Sequence, residues 1–165
     1  MSFVFGTASK ASFKRLHPVL QLVTQNALNR NVIDFKILDS TRGKAAQERA
    51  FRQGHSKVHF GQSAHNWNPA IAEDLFPAPY DWDDEKAFES LYHLMMEEAK
   101  KIRLAATYGS YRTPIELINK PLQLRCGLDW NMNGLQPKDK DNWDGGHYEL
   151  HPWREWAKTV KPFQD

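Results

Sequence analysis

Leu16, Val19, Leu20, Val23 and Ala27 recur at helical spacing. This predicts an amphipathic helix over residues 12–28, started or kinked by Pro18. A short strand is expected at 34–38. Thr41-Arg42-Gly43 then turns into a second helix over 44–52, closed by Gly54. A polar loop at 55–62 leads to a strand at 70–75, ended by Pro77 and Pro79. The longest helix is expected at 84–106, where Phe88, Leu91, Met95, Ala99 and Ile102 form an apolar stripe. Two more strands are read at 122–127 and 146–151, with a polar loop at 131–142 between them. A short helix at 152–159 closes the chain. Helices and a few strands mix without βαβ regularity, which is the pattern of an α+β fold.

The 165 residues suit one domain with a single core, so residues 1–165 are read as one domain. No repeat, low-complexity tract or clear linker divides them. Hydrophobic residues make up 41% and charged residues 25%, which excludes a disordered chain. The net charge of +2 is too weak to argue for nucleic acid, yet it would not repel an anionic polymer such as a cell wall. The single cysteine, Cys126, rules out an internal disulfide and reads as a small core residue. Met1-Ser2-Phe3-Val4-Phe5-Gly6 lacks a basic region followed by an apolar run, so no signal peptide is read. No stretch approaches the roughly 18 apolar residues of a membrane span. The expectation is a protein made in the cytoplasm; a substrate outside would require another agent to let it out.

The candidate chemistry lies in two segments, Ser63-Ala64-His65…Asp74 and Asp144-Gly145-Gly146-His147-Tyr148-Glu149-Leu150. They supply two imidazoles, a carboxylate that could join them on a metal, and a second carboxylate three residues before the last His. Three protein ligands, an open position and an adjacent acid/base are the parts of a catalytic zinc site. In a strand over 70–75, Ala70, Ala72 and Asp74 share one face and Ile71, Glu73 and Leu75 the other. Two alanines leave room beside Asp74, which favours it over Glu73 as a ligand. His147 and Glu149 share a face of the last strand, so Glu149 either orients an imidazole or sits at a solvent edge. Asp144-Gly145-Gly146 reads either as a simple hairpin turn or as a turn that brings Asp144 within reach of a reacting water. His17, His55, His59, His93 and His151 read as structural or exposed. Of Trp67, Trp130, Trp143 and Tyr148, which flank these segments, Trp143 or Trp67 is expected to approach a substrate.

These segments resemble the zinc peptidases of the D-alanyl-D-alanine carboxypeptidase (VanY-type) family, which share the hedgehog/DD-peptidase fold. The family signature is Ser-x-His, then Gly-x-Ala-x-Asp, then Glu- or Asp-x-x-His. Here it reads Ser63-Ala64-His65, Ala70-Ile71-Ala72-Glu73-Asp74 and Asp144-Gly145-Gly146-His147. Within that family the chain looks most like phage endolysins that are L-alanyl-D-glutamate peptidases. That likeness rests on Gly127-Leu128-Asp129-Trp130-Asn131, the segment from Asp144 to Leu150, Met1-Ser2-Phe3, and the region of Ser40-Thr41-Arg42 and Gln47. Two departures stand out. The gap between His65 and Asp74 is longer than the usual pattern, with the extra length in Asn66-Trp67-Asn68-Pro69, and Ala70 replaces the glycine.

The resemblance implies zinc held by His65, Asp74 and His147, with Asp144 as the acid/base. Arg42 would contact substrate and stabilise the oxyanion, with Gln47, Ser63 and Trp143 on the substrate side. It also implies peptidoglycan as substrate, with cleavage of the L-Ala–D-Glu bond of the stem peptide leading to bacterial lysis. The protein would act as a monomer, without stable membrane association. A holin-type partner would let it out of the host cytoplasm. Removal of terminal D-Ala by the same chemistry is the nearest alternative. A His-Asn-His type nuclease would suit His65-Asn66 and Asp144…His147…His151, but the near-neutral charge and the lack of basic clusters for phosphate stand against it. A non-catalytic wall-binding domain would have no reason to keep Asp144 together with every ligand.

Overall fold

The computed structural model describes residues 2–135 and 143–164. Residues 136–142, the second half of the expected polar loop, lie outside them. Helix α1 (Thr7–Lys14) precedes α2 (Pro18–Asn29), and strand β1 (Phe35–Asp39) leads to α3 (Lys44–Arg52). A 3-10 turn at Ala64–Asn66 runs into β2 (Trp67–Asn68) and then β3 (Ala72–Pro77). The long helix α4 (Glu85–Lys100) is followed by the small hairpin β4 (Thr107–Tyr108) and β5 (Tyr111–Arg112). After a second 3-10 turn at Ile115–Leu117 come β6 (Leu124–Gly127) and β7 (Asp144–Leu150). Helix α5 (Trp153–Ala157) and β8 (Lys161–Pro162) complete the chain. The result is the mixed α+β architecture that the sequence pattern implies.

The central sheet has the order β1-β3-β7-β6, and every neighbouring pair is antiparallel. One face is covered by α2 and α4, which pack on each other. Val19, Leu20, Val23 and Ala27 of α2, and Phe88, Leu91, Met95 and Ala99 of α4, are buried there, as the periodicity requires. Leu75, Cys126, Tyr148 and Leu150 fill the sheet side of this core. Each such apolar side chain removed from water contributes about 1.5–3 kcal/mol. Side chains alternate along a strand, so the residues between them point to the opposite face. Asp74 and His147 are direct cross-strand partners in β3–β7, and Ala72 lies opposite Glu149. That second face carries the chemistry.

Several expected boundaries change. The expected helix at 12–28 is two helices, and Pro18 begins the second, where its missing N–H costs nothing. His17 caps α2 through its ring, with Nδ1 accepting from the Val19 N–H at 3.1 Å. Helix α4 stops at Lys100, so Ile102 is buried beyond it rather than in its last turn. Pro77 belongs to β3, opposite Phe35. The Asp144-Gly145-Gly146 segment is extended strand, not a turn. A Cβ at Gly145 would strike the Trp143 ring, and one at Gly146 the Leu75 backbone carbonyl. The two glycines serve close packing of β7, and the turn reading is set aside.

Candidate metal centre and its cleft

His65 is held by its loop before it meets anything else. Ser63 caps the 3-10 turn, its Oγ accepting from the His65 N–H at 3.2 Å. Asn66 Oδ1 accepts from the Ser63 N–H at 3.1 Å, and Asn66 Nδ2 donates to the Arg42 carbonyl at 3.0 Å. The Arg42 N–H donates to the His65 carbonyl at 2.7 Å. This stitching fixes the loop at Ser40–Arg42 against the 3-10 turn. The ring of His65 then spends Nδ1 on the Ser40 carbonyl at 2.7 Å. An acceptor there requires Nδ1–H, which leaves Nε2 with its lone pair.

His147 is oriented in the reverse sense. Its Nε2 lies 2.7 Å from Glu149 Oε1, so Nε2–H donates to the carboxylate and Nδ1 keeps the lone pair. His147 Nδ1 is 3.2 Å from His65 Nε2 and 3.3 Å from Asp74 Oδ1, and His65 Nε2 is 3.3 Å from the same oxygen. These three atoms form a nearly equilateral triangle. Ligands at about 2.05 Å around a tetrahedral zinc would stand about 3.35 Å apart. Two imidazole lone pairs and a carboxylate oxygen at this spacing repel one another unless a proton or a metal cation sits between them. The donor set and its spacing therefore fit a metal ion, and the His65–Asp74–His147 group could hold one.

Electrostatics point the same way. Burial disfavours protonated His147, yet its bonds to Asp74 and Glu149 and their charge raise its pKa to about 10. Burial likewise lowers His65, but Asp74 more than offsets this and raises it. Burial would raise Asp74, and the two imidazoles override it and hold the carboxyl well below its ordinary range. Glu149 is also held below its ordinary value despite burial, by His147 and Arg125. The site thus attracts positive charge strongly, whether carried by protons or by a dication.

Glu73, the alternative carboxylate, takes no part. It is fully buried on the opposite face of β3, where its Oε2 accepts from Thr24 Oγ1 at 2.5 Å. Burial pushes its pKa up to about 8.

The cluster opens into a cleft of about 710 Å³ lined also by Arg42, Ser63, Trp130, Trp143, Asp144 and Trp153. Asp144 begins β7 at the rim. Its pKa is raised, first by desolvation among the cleft walls and then by repulsion from Asp74. Arg42 pairs with Asp39 at 3.5 Å and donates to Gln47 Oε1 at 3.3 Å. Gln47 itself does not line the cleft. It is fully buried, and its amide is spent on Arg42, Asn66, Ser56 and the Val58 carbonyl. The place expected for it beside substrate is corrected to a bracing role behind Arg42. Trp67 also lies off the cleft, donating from Nε1 to the Ser63 carbonyl at 3.1 Å. Tyr148 is core, whereas Trp130 packs its ring on His147 at 5.2 Å. Sequence reasoning missed Arg125 and Trp153. Arg125 is the cross-strand partner of Glu149, a pairing that needs the register. Trp153 begins α5, which packs on β7 and on the 3-10 turn that carries His65, a tertiary contact that no local pattern announces.

An α+β sheet thus presents two oriented imidazoles and a carboxylate that could hold a metal ion at the floor of a cleft, with Asp144 lining the same cleft. The chain belongs to the phage L-alanyl-D-glutamate peptidase family, whose model matches residues 1–113. That match includes His65, Asp74 and Arg42 but ends before Asp144 and His147. A relative that aligns through nearly its whole length is the L-alanyl-D-glutamate peptidase of Escherichia phage T5, 29% identical over 158 residues, 91% of this chain and 99% of that one. Among solved structures, the L-Ala D-Glu endopeptidase ChiX of Serratia marcescens shares the fold. Its TM-score is 0.65 at 18% identity, with 93% of this chain and 94% of that one covered.

Proposed function

We propose that this chain is a zinc peptidase that hydrolyses the L-Ala–D-Glu bond of peptidoglycan stem peptides and acts as a phage endolysin. One observation carries the reading: His65 Nε2, His147 Nδ1 and Asp74 Oδ1 converge at 3.2–3.3 Å with their outer nitrogens already committed. Family membership and the name of the T5 relative support the substrate. The fold is taken to be of the hedgehog/DD-peptidase type, with residues 1–165 forming one catalytic domain.

His65, Asp74 and His147 would hold the zinc. Zinc bound there supplies Lewis acidity, which makes water nucleophilic near neutral pH and polarises a carbonyl. Asp144 accepts the proton as water attacks and returns it to the departing amine of D-Glu. Its raised pKa suits both halves of that transfer, a role typically worth about 10²–10⁴ in rate. Arg42, braced by Gln47 and Asp39, presents its guanidinium to the developing oxyanion or to a stem-peptide carboxylate. Ser63 and Trp143 flank the peptide. The enzyme acts as a monomer on the wall, after synthesis in the host cytoplasm and release by a holin-type partner. It binds neither nucleic acid nor membrane stably. No helix among the described residues is long and apolar enough to cross a membrane.

The test is mass spectrometry of purified Gram-negative sacculi incubated with the protein, with and without a chelator. The expected products are stem peptides beginning at D-Glu, absent when the chelator is present. Loss of terminal D-Ala alone would replace the endopeptidase reading with a carboxypeptidase one.

A further inference from the structure

Arg125 lines the cleft, and its guanidinium is paired there with Glu149, which lines the cleft too. Arg125 Nε and Nη2 lie 3.1 and 2.9 Å from Glu149 Oε2, while Glu149 Oε1 accepts from His147. The guanidinium also lies over the Trp130 ring at 5.2 Å, and the Trp130 ring packs on the His147 ring at 5.2 Å. Arg125, Glu149, His147 and Trp130 thus close a loop. The loop is anchored on both sides. Arg125 and Glu149 are cross-strand partners in β6–β7. Trp130 follows Asp129, whose carboxylate accepts from the Asn133 and Gly134 N–H groups at 2.9 and 3.0 Å.

We propose that Arg125 and Trp130 are positioning residues that lock Glu149, and through it the ring of His147, in the orientation that presents Nδ1 to the metal. The inference rests on the metal reading above. A carboxylate held only by one imidazole can rotate about its last torsion. The Arg125 fork on Oε2 removes that freedom and leaves Oε1 aimed at Nε2. The indole lies under the guanidinium and packs, tilted by 38°, against the imidazole, which limits the room either has to move. Arg is suited to this place because its fork and flat face act together, which an ammonium cannot copy.

The test is a zinc competition titration of wild type and of Arg125→Gln against a chromophoric chelator. It is paired with the visible spectrum of the cobalt(II)-loaded forms and with thermal melts of the metal-free proteins. Arg125→Gln should bind zinc ~10–100-fold more weakly, the usual loss for a broken outer-shell contact. Its cobalt spectrum should shift, its metal-free form should melt somewhat lower but still cooperatively because His147 continues to pair with Glu149, and KM for muropeptide at saturating zinc should be unchanged. Arg125→Lys, which keeps charge without the fork, should recover only part of the affinity. If Arg125→Gln does not fold, Trp130→Leu carries the same expectation of weakened zinc binding and a shifted cobalt spectrum. Zinc affinity and cobalt spectrum equal to wild type would overturn the proposal, and so would a raised KM as the sole defect, which would make Arg125 a substrate contact. A wild-type protein that takes up no zinc would overturn the metal reading itself, a result distinct from either.

Discussion

Each ligand-candidate imidazole spends one nitrogen on a protein acceptor, so each can offer only its other lone pair to the cluster. Replacing either therefore removes a ligand outright. His65→Ala and His147→Ala should lose bound zinc and activity together, as read by metal content after gel filtration and by turnover on sacculi. Asp144→Asn should behave differently. It should keep zinc while turnover falls by about 10²–10⁴; activity near wild type would reassign the base. Glu73→Gln separates the two adjacent carboxyls of β3. With its pKa at about 8, Glu73 is mostly protonated at neutral pH and already resembles an amide. Glu73→Gln should hold wild-type zinc content and turnover, and loss of zinc would move the ligand by one residue. The alternation of faces in a strand favoured Asp74 on sequence alone but left Glu73 open, and only the strand register puts Asp74 opposite His147. The bracing of Arg42 by Gln47 was not legible there, because a buried amide and a substrate-facing one look the same in one dimension.

At the scale of elements, α2 depends on an uncharged cap. His17 is fully buried between the Tyr111 and Trp156 rings, and burial lowers its pKa to about 4 from an ordinary 6.5. As pH falls, the unfolded chain takes up this proton first. The contribution of His17 to stability is therefore complete above about pH 6.5 and is lost as pH falls through about 4, with a ceiling of roughly 3 kcal/mol. Urea unfolding of wild type at pH 7 and 4.5 should show part of that loss, and His17→Asn, which caps without titrating, should flatten it. The elements legible in the sequence were α2 and α4, by their apolar period, the buried strands β1, β3, β6 and β7, and α3 and α5, which were placed by flanking Gly and Pro rather than by a period. Helix α1 has Ser9 as its sole buried residue, so no apolar stripe marks it. Strands β2, β4, β5 and β8 are two residues each, too short to show alternation. Asp144-Gly145-Gly146 carried a turn signal because glycine in one dimension does not reveal whether it serves a turn or close packing.

For the whole molecule, the metal reading makes folding and binding a single equilibrium. The cluster draws its donors from the 3-10 turn after α3, from β3 and from β7, segments far apart in sequence that only the folded chain brings together. Anything bound there stabilises the native state by RT ln(1 + [L]/Kd), about 2.7 kcal/mol at a hundredfold excess over Kd. For a chain of this length, each kcal/mol moves the melting temperature by roughly 2–4 °C. Stripping the metal with a chelator should therefore lower the melting temperature by roughly 5–11 °C and abolish turnover, and added zinc should restore both. Acid should mimic the chelator, because protons and metal compete for the same imidazole lone pairs. His147 holds its proton to about pH 10 when no metal is present, so binding zinc at neutral pH must release protons. Calorimetric titration in two buffers of different ionisation enthalpy would measure that release. Identical heats in both buffers would mean that the imidazoles of the cluster are not the groups that receive the ion.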